Sequence, residues 1–421
     1  MIYLILSFVV IIILWMDRWK ITPYNITIIN TVPIAIGYYL LDQYSYYNFF
    51  YIYILSLVII SIGYYFTKKL LLKRNKNNLE ESLPQSNVRI LATYLFCIII
   101  ILLCCYHFIV GGIPVLSKNV EVDRFSFSSS GLFGIPGRMF LFGMPLVVTY
   151  ATLLYFRSSK KKFSKLFIAC WFFYFIFQFI SGFKGALLTL VVQILIIAAI
   201  SGKEFRIKDL LIKPRYSLLF FIAVLYAVST SFFYKSVGVT SIKDSFNYLY
   251  ERLTLLSASP GYFALENMTY FNTDKSFFIQ EIYYYLNKYL KIGSSSNFFP
   301  LEMQVSAALT GTPLSQDNFI VSVTLGGFPS LVVDFGIVIS LVFMLLIGII
   351  FAVIYHWSSR CKSVLCSAFL GLLLMRMNVI IINGSIIYNI INVVLIIVLL
   401  YLIYVFSFLV SHVVIYAIKN N

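Results

Sequence analysis

Eleven apolar stretches, most of them near the length that carries a helix through a lipid bilayer, follow one another from the first residues of the chain to the last. About 20 residues of helix cross the hydrocarbon of a membrane. The stretches fall at roughly Ile2 to Met16, Thr22 to Leu41, Phe49 to Phe66, Ile90 to Val110, Met139 to Phe156, Leu166 to Ile180, Gly185 to Ile200, Leu218 to Tyr234, Phe328 to Trp357, Ser363 to Met375 and Ile386 to Leu409. With 61% hydrophobic and only 11% charged residues and a mean hydropathy of +0.91, the chain lies outside the soluble range. The expected fold is an all-α polytopic membrane protein of about 11 transmembrane helices, forming a single integral membrane domain over residues 1–421. The opening run "MIYLILSFVVIIILWM" carries neither a basic leader nor a small-residue cleavage site and reads as a retained span.

The formal charge of +16 is spread through the short gaps between apolar runs instead of gathering on one domain. That pattern argues against a nucleic-acid partner and for the lipid bilayer. Lys68, Lys69, Lys73, Arg74 and Lys76 follow the third run, "RSSKKKFSK" the fifth and "GKEFRIKDLLIKPR" the seventh. Placing these on the cytoplasmic side puts 21 of the 32 basic residues inside and 11 outside. The N-terminus is then outside and the C-terminus inside. Two long segments, a first outer loop at 111–138 and a large outer loop at 235–318, face the exterior.

The large loop is too long for a simple connector, and it carries helix signals. "SIKDSFNYLYERLTLLSASPG" opens with a Ser241…Asp244 capping box, sets Phe246, Leu249, Leu253 and Leu256 on one face and stops at Pro260-Gly261. "DKSFFIQEIYYYLNKYLKIG" repeats the scheme with Phe278, Ile282, Tyr285 and Tyr289, ending before Gly293. Both are expected to be amphipathic helices lying at the membrane surface. Aromatic residues, 18% of the chain, crowd the ends of the apolar runs as an interfacial belt would.

Six cysteines lie within or beside apolar runs, and of three histidines only His107 nears the outer face. A disulfide framework, a metal site and a Ser-His-Asp hydrolase are therefore poorly supported. The ionisable residues that remain outside are mostly basic. Arg124 and Arg138 bracket the stretch "SFSSSGLFGIPG", whose glycines let the backbone close around a ligand, and the pair suits an anion. Interfacial pairing of either arginine with Asp123 or with headgroups is the simpler alternative. Lys184 sits in "SGFKGALLTL" between two spans, where a charge is costly unless functional or snorkelling. Arg252 stands beside Glu251, so a plain exposed ion pair competes with a binding role. Arg376 lies close to the outer end of the tenth run. Asp334, about two turns inside the ninth run, is expected to face a cavity or a basic partner.

Four features, in order, resemble the Wzy-type oligosaccharide repeat-unit polymerases of O-antigens and capsules. They are "ITPYNITIINTVP", "GFKGALL", a long outer loop before the last spans, and "DNFIVSVTLGGFPSLVVDFGIVISLVF". The chain departs from the family pattern at Lys184, where arginine is frequent, and at Ile339, where glycine is common. A lysine supplies charge but not a bidentate fork. The resemblance implies a glycosyltransferase of the bacterial plasma (inner) membrane with its active face outward and no cofactor. It would move a growing glycan from undecaprenyl diphosphate onto a new undecaprenyl-diphosphate-linked repeat unit, working with a chain-length regulator as a further partner. Arg124, Arg138, Lys184, Arg252 and Arg376 become candidates for binding the diphosphate, and Asp334 or Asp317 for deprotonating the acceptor hydroxyl. An O-antigen ligase-like enzyme and a flippase or transporter of lipid-linked glycans are the alternatives. A transporter should carry polar residues at the bilayer midplane in several spans, often in two related halves, and neither is visible in the sequence.

Overall fold

The computed structural model describes residues 2–73, 86–116, 135–157, 163–181, 186–201, 241–271, 276–290, 298–314 and 323–420. Over these residues the secondary structure is helical, with no strand. In chain order the helices are α1 (Ile2–Met16), α2 (Pro23–Asp42), α3 (Phe49–Lys73), α4 (Asn87–Gly111), α5 (Ile135–Arg157), α6 (Ser164–Ile180) and α7 (Ala186–Ile200). They continue with α8 (Ile242–Leu253), α9 (Leu255–Glu266), α10 (Phe277–Leu290), α11 (Leu301–Thr310), α12 (Gly327–Arg360), α13 (Val364–Asn383) and α14 (Ile386–Asn420). Seven of them, α2, α3, α4, α5, α12, α13 and α14, are long and apolar enough to cross a membrane. α6 and the Thr189–Ile200 part of α7 are apolar but shorter. The predicted span from Leu218 to Tyr234 lies outside the described residues. Eleven spans thus remain the expectation of the sequence, of which the structure displays seven.

The chain divides into two compact units. The first comprises Met1–Asn75, Glu204–His356 and Arg376–Ile391, and the second Lys76–Lys203, Trp357–Met375 and Asn392–Asn421.

In the first unit α2 is the central helix, packed against α1, α3 and α9. Its start is set by Thr22, whose side chain accepts from the Asn25 amide at 3.2 Å, with Pro23 in the first turn where a missing N–H costs nothing. Polar side chains along α2 bond to nearby carbonyls, Thr27 to Pro23 at 3.0 Å and Thr31 to Ile28 at 2.7 Å, which suits a helix with no water to turn to. At the other end the Asp42 carboxylate accepts from the amides of Phe49 (3.1 Å) and Phe50 (2.8 Å), the first turn of α3, and from the Tyr262 hydroxyl of α9 (2.9 Å). Near the α1–α2 turn, buried Asp17 pairs with Lys68 of α3 and accepts from the Thr22 hydroxyl at 3.0 Å. The Lys68 ammonium lies 5.4 Å from the centre of the Tyr64 ring, which stacks on Tyr24 at 4.1 Å.

The second unit is built on α5, 83% buried along its span. A π-helical turn, Met139–Gly143, interrupts it near its start. At its far end the Arg157 guanidinium donates to the carbonyls of Cys361 (3.3 Å) and Ile200 (3.4 Å), tying the ends of α12 and α7 to α5. Buried Gln193 of α7 donates to the Pro145 carbonyl of α5 at 2.8 Å.

Three sequence expectations change. The helix from Ser241 keeps its predicted cap, with the Asp244 amide donating to the Ser241 hydroxyl at 3.0 Å, but it ends at Leu253, where Thr254 takes φ −100° and ψ −84°. A new helix, α9, then runs through Pro260 and Gly261, because packing of its Ala258 face on α2 outweighs the local Pro-Gly stop signal. α10 turns Phe277, Glu281 and Tyr285 inward, and Phe277 joins a core with Ala264, Phe271, Leu301, Val305, Leu325 and Val333. The inward face is thus shifted by about one residue from the expected one and shares Tyr285 with it. α13 runs on past Met375 to Asn383, so Arg376 lies within a helix and not at its end. α12 is not one straight rod, since Gly336 (φ 74°, ψ 170°) breaks it two residues after Asp334.

α3 and α12 approach at glycines. A Cβ on Gly348 would stand 2.2 Å from the Ile60 carbonyl oxygen, and one on Gly63 would stand 2.4 Å from that of Leu345. Such small-residue contacts let backbones meet where lipid supplies no hydrophobic drive for association. Gly348→Ala is expected to lower stability by roughly 1–3 kcal/mol through overpacking. Ile350→Ala, on the exposed side, should change it by less than about 0.5 kcal/mol. Thermal unfolding of the purified protein in detergent checks both values.

Candidate functional site

The site begins with the break at Gly336. By ending the first stretch of α12, it leaves Asp334 at a helix terminus, from which the carboxylate reaches the start of α10. Asp334 accepts from the amides of Phe277 and Phe278, both at 2.8 Å, and from the Ser276 hydroxyl at 2.9 Å. It thereby caps a helix from outside, meeting amides that have no partner within the helix and opposing the positive end of its dipole.

One turn further along α10, Glu281 is only 7% exposed, and Glu302, in the first turn of α11, only 4%. The two side chains are hydrogen-bonded to each other, and the Leu301 amide also donates to Glu281. Glu302 Oε1 accepts from the Ser385 hydroxyl at 2.8 Å, and Ser385 holds the left-handed conformation (φ 49°) in the turn between α13 and α14. Burial, reinforced by the charge of Glu302 and more weakly by that of Asp334, pushes the Glu281 carboxyl up to about 9. At neutral pH Glu281 therefore keeps its proton and donates it towards Glu302, because two carboxylates in one dry site cannot both ionise cheaply.

These groups line a cavity of about 30 Å³, closed on its apolar side by Phe277, Leu301, Leu331 and Ile387. That is room for one or two waters. Its lining includes three acids and no lysine or arginine, so Asp334 faces a cavity in acidic company. Among the described residues no three His, Cys, Asp or Glu side chains converge as metal ligands. What the arrangement can do is hold one proton between two carboxyls and exchange it, through a water, with a hydroxyl brought to the cavity.

The other sequence candidates are scattered. Arg252 is half-buried in the last turn of α8, its carbonyl accepting from the Ser257 hydroxyl at 2.7 Å. Arg376 is half-buried within α13, and both belong to the first unit. Arg138, in the second unit, donates from Nε to Asn392 Oδ1 at 2.9 Å. Arg124, Lys184 and Asp317 lie outside the described residues.

Sequence reasoning passed over Glu281 and Glu302. The signal for Glu281 was its i+4 spacing from Phe277 and i−4 from Tyr285, which puts an acid in the middle of an apolar helix face. Glu302 had only its place in a first turn after Pro300.

A carboxyl raised above its unfolded value contributes stability that is fully present below its ordinary value of 4.5 and is lost as pH climbs to about 9. The wild type should thus lose thermal stability between about pH 6 and about pH 9, and Glu281→Gln, which keeps the hydrogen bond without a titrating proton, should lose much less. Melting temperatures of both proteins across that range test the assignment. Equal slopes would place the proton elsewhere.

Comparison of the chain with protein-family models, with curated proteins and with solved structures finds no match.

Proposed function

We propose that the chain is a membrane glycosyltransferase that polymerises lipid-linked oligosaccharide repeat units. The observation that carries this reading is that the stretch from Asp317 to Phe343, which resembles the polymerase pattern, contains Asp334, and Asp334 lines one cavity with a buried, hydrogen-bonded pair of glutamates. Supporting it are the seven long apolar helices, which suit a substrate anchored in lipid.

In this reaction a hydroxyl of the incoming repeat unit attacks the anomeric carbon of the growing glycan. The bond from that carbon to the diphosphate oxygen breaks, and the diphosphate leaves with the electron pair. The hydroxyl proton passes to the Glu281–Glu302 pair. Asp334, with three donors already on its two oxygens, positions α10 and so sets Glu281 facing Glu302. Arg252 and Arg376, of the same unit, are the described cations suited to the leaving diphosphate. No nucleotide is needed, since the donor sugar is already activated by its diphosphate.

Cells deleted for the gene and complemented with variants test the proposal through the length ladder of the surface glycan. Deletion and Glu302→Gln should each leave a single repeat unit, the variant losing roughly 10²–10⁴-fold in rate with abundance unchanged. Arg252→Ala should shorten the ladder as well. A full ladder in the deletion strain would overturn the reading. Loss of even the single repeat from the surface, with lipid-linked units retained inside, would assign the chain to transport.

Asp334→Ala is expected to destabilise the start of α10 by about 1–2 kcal/mol, as loss of a helix cap does. Asp334→Asn, which still accepts from one amide, should fall between it and the wild type. The comparison of unfolding midpoints separates positioning from proton transfer.

A further inference from the structure

The second unit holds a cavity of about 370 Å³ that the proposed reaction does not use. Its walls come from the first turn of α4, the middle of α5, the start of α13 and residues 401–408 of α14. The size falls within the range of pockets that hold small molecules. Its lining is divided. Arg89, Ser363 and the hydroxyls of Tyr150 and Tyr404 supply polar groups, while Leu365 and Phe408 supply apolar surface.

Electrostatically the polar part is one-sided. Arg89 lies in the first turn of α4, and the first turn of α13 lines the same cavity, so a guanidinium meets the positive ends of two helix dipoles. Neither first turn contains an acid, and among the described residues no carboxylate pairs with the Arg89 side chain. A cation on the first turn of a helix is placed against the dipole, and Arg89 is exposed, so an anion can reach it and relieve that repulsion. The hydroxyls are already arranged, with Tyr150 Oη 3.1 Å from Thr93 Oγ1 and hydrogen-bonded to Tyr404. The α14 wall borders the apolar exterior. Tyr401, Leu402, Phe406 and Leu409 are each 57–59% exposed on a helix that is among the most apolar of the chain, so this surface contacts lipid.

We propose that this cavity binds the phosphate of a membrane lipid, with Arg89 and the tyrosine hydroxyls on the phosphate and the lipid chain lying along Leu365 and Phe408. An anion opposes the positive charge of Arg89 and of the two helix starts, and a tail accounts for the apolar end opening to lipid. The same chemistry is offered by an anionic glycerophospholipid and by a polyprenyl phosphate. The site is independent of the glycosyl-transfer reading, since it draws on none of the same residues.

Native mass spectrometry of the delipidated full-length protein tests it, with phosphatidylglycerol, a polyprenyl phosphate and phosphate-free diacylglycerol added back in turn. Wild type should retain one phosphate lipid, and Arg89→Ala should bind it about tenfold more weakly, the size of a lost charge-assisted contact. Arg89→Lys should recover part of the binding. Leu365→Trp, which fills the apolar end and leaves every polar group in place, should also weaken binding, so a folding defect at Arg89 would not decide the result. Tighter retention of one of the two phosphate lipids identifies the source. Binding of diacylglycerol equal to that of the phosphate lipids, or equal occupancy in wild type, Arg89→Ala and Leu365→Trp, would overturn the proposal.

Discussion

In a chain surrounded by lipid, the ends and breaks of helices are the costly places, because an amide or carbonyl without a partner there has no water to turn to. Three charged side chains meet this need and in doing so hold helices together. Asp42, at the end of α2, caps the start of α3 and takes the Tyr262 hydroxyl from α9. Asp334 caps the start of α10. Arg157 closes the carbonyl ends of α7 and α12 in the second unit. Each charge does two things at once, satisfying a helix end and fixing the angle at which a second helix leaves. These three half-buried charges are joints of the fold.

The acidic cavity follows from one of these joints. Asp334 reaches α10 from the end of the first stretch of α12, which breaks at Gly336, whose φ of 74° is one that residues with a Cβ seldom adopt. Once α10 is pinned, its inward face presents Glu281 to Glu302 in surroundings too dry for two negative charges. The shared proton is a consequence of that burial. A proton held between two carboxyls suits the acid–base role proposed for the pair, and it arises here from the way a helix end is satisfied.

Much of the architecture was legible because lipid permits few solutions. Long apolar runs with basic gaps become helices, and the limits of α1, α2, α4 and α6 fall within a few residues of the expected ones. The cap at Ser241 was readable from two residues. Pro260-Gly261 misled, since a local stop signal gave way to packing on α2. Arg376 resembled the end of a span, yet α13 continues past it to Asn383, with Asn378 buried. Among the candidate site residues, Asp334 was found by its charge alone, an acid in an apolar run, whereas its partners were hidden by their ordinary appearance in a polar segment.

The sequence by itself determined the class of the molecule, its helical character and the rough position of its spans, because hydrophobic length and charge spacing act locally and lipid leaves no alternative. It also marked Asp334. Which groups Asp334 meets, that Glu281 faces inward, and that Arg89 shares a cavity with the start of α13 were decided only by tertiary structure. Those contacts join residues from 21 positions apart (Glu281 and Glu302) to more than 270 (Arg89 and Ser363), and their energies depend on burial and distance, which no local pattern records.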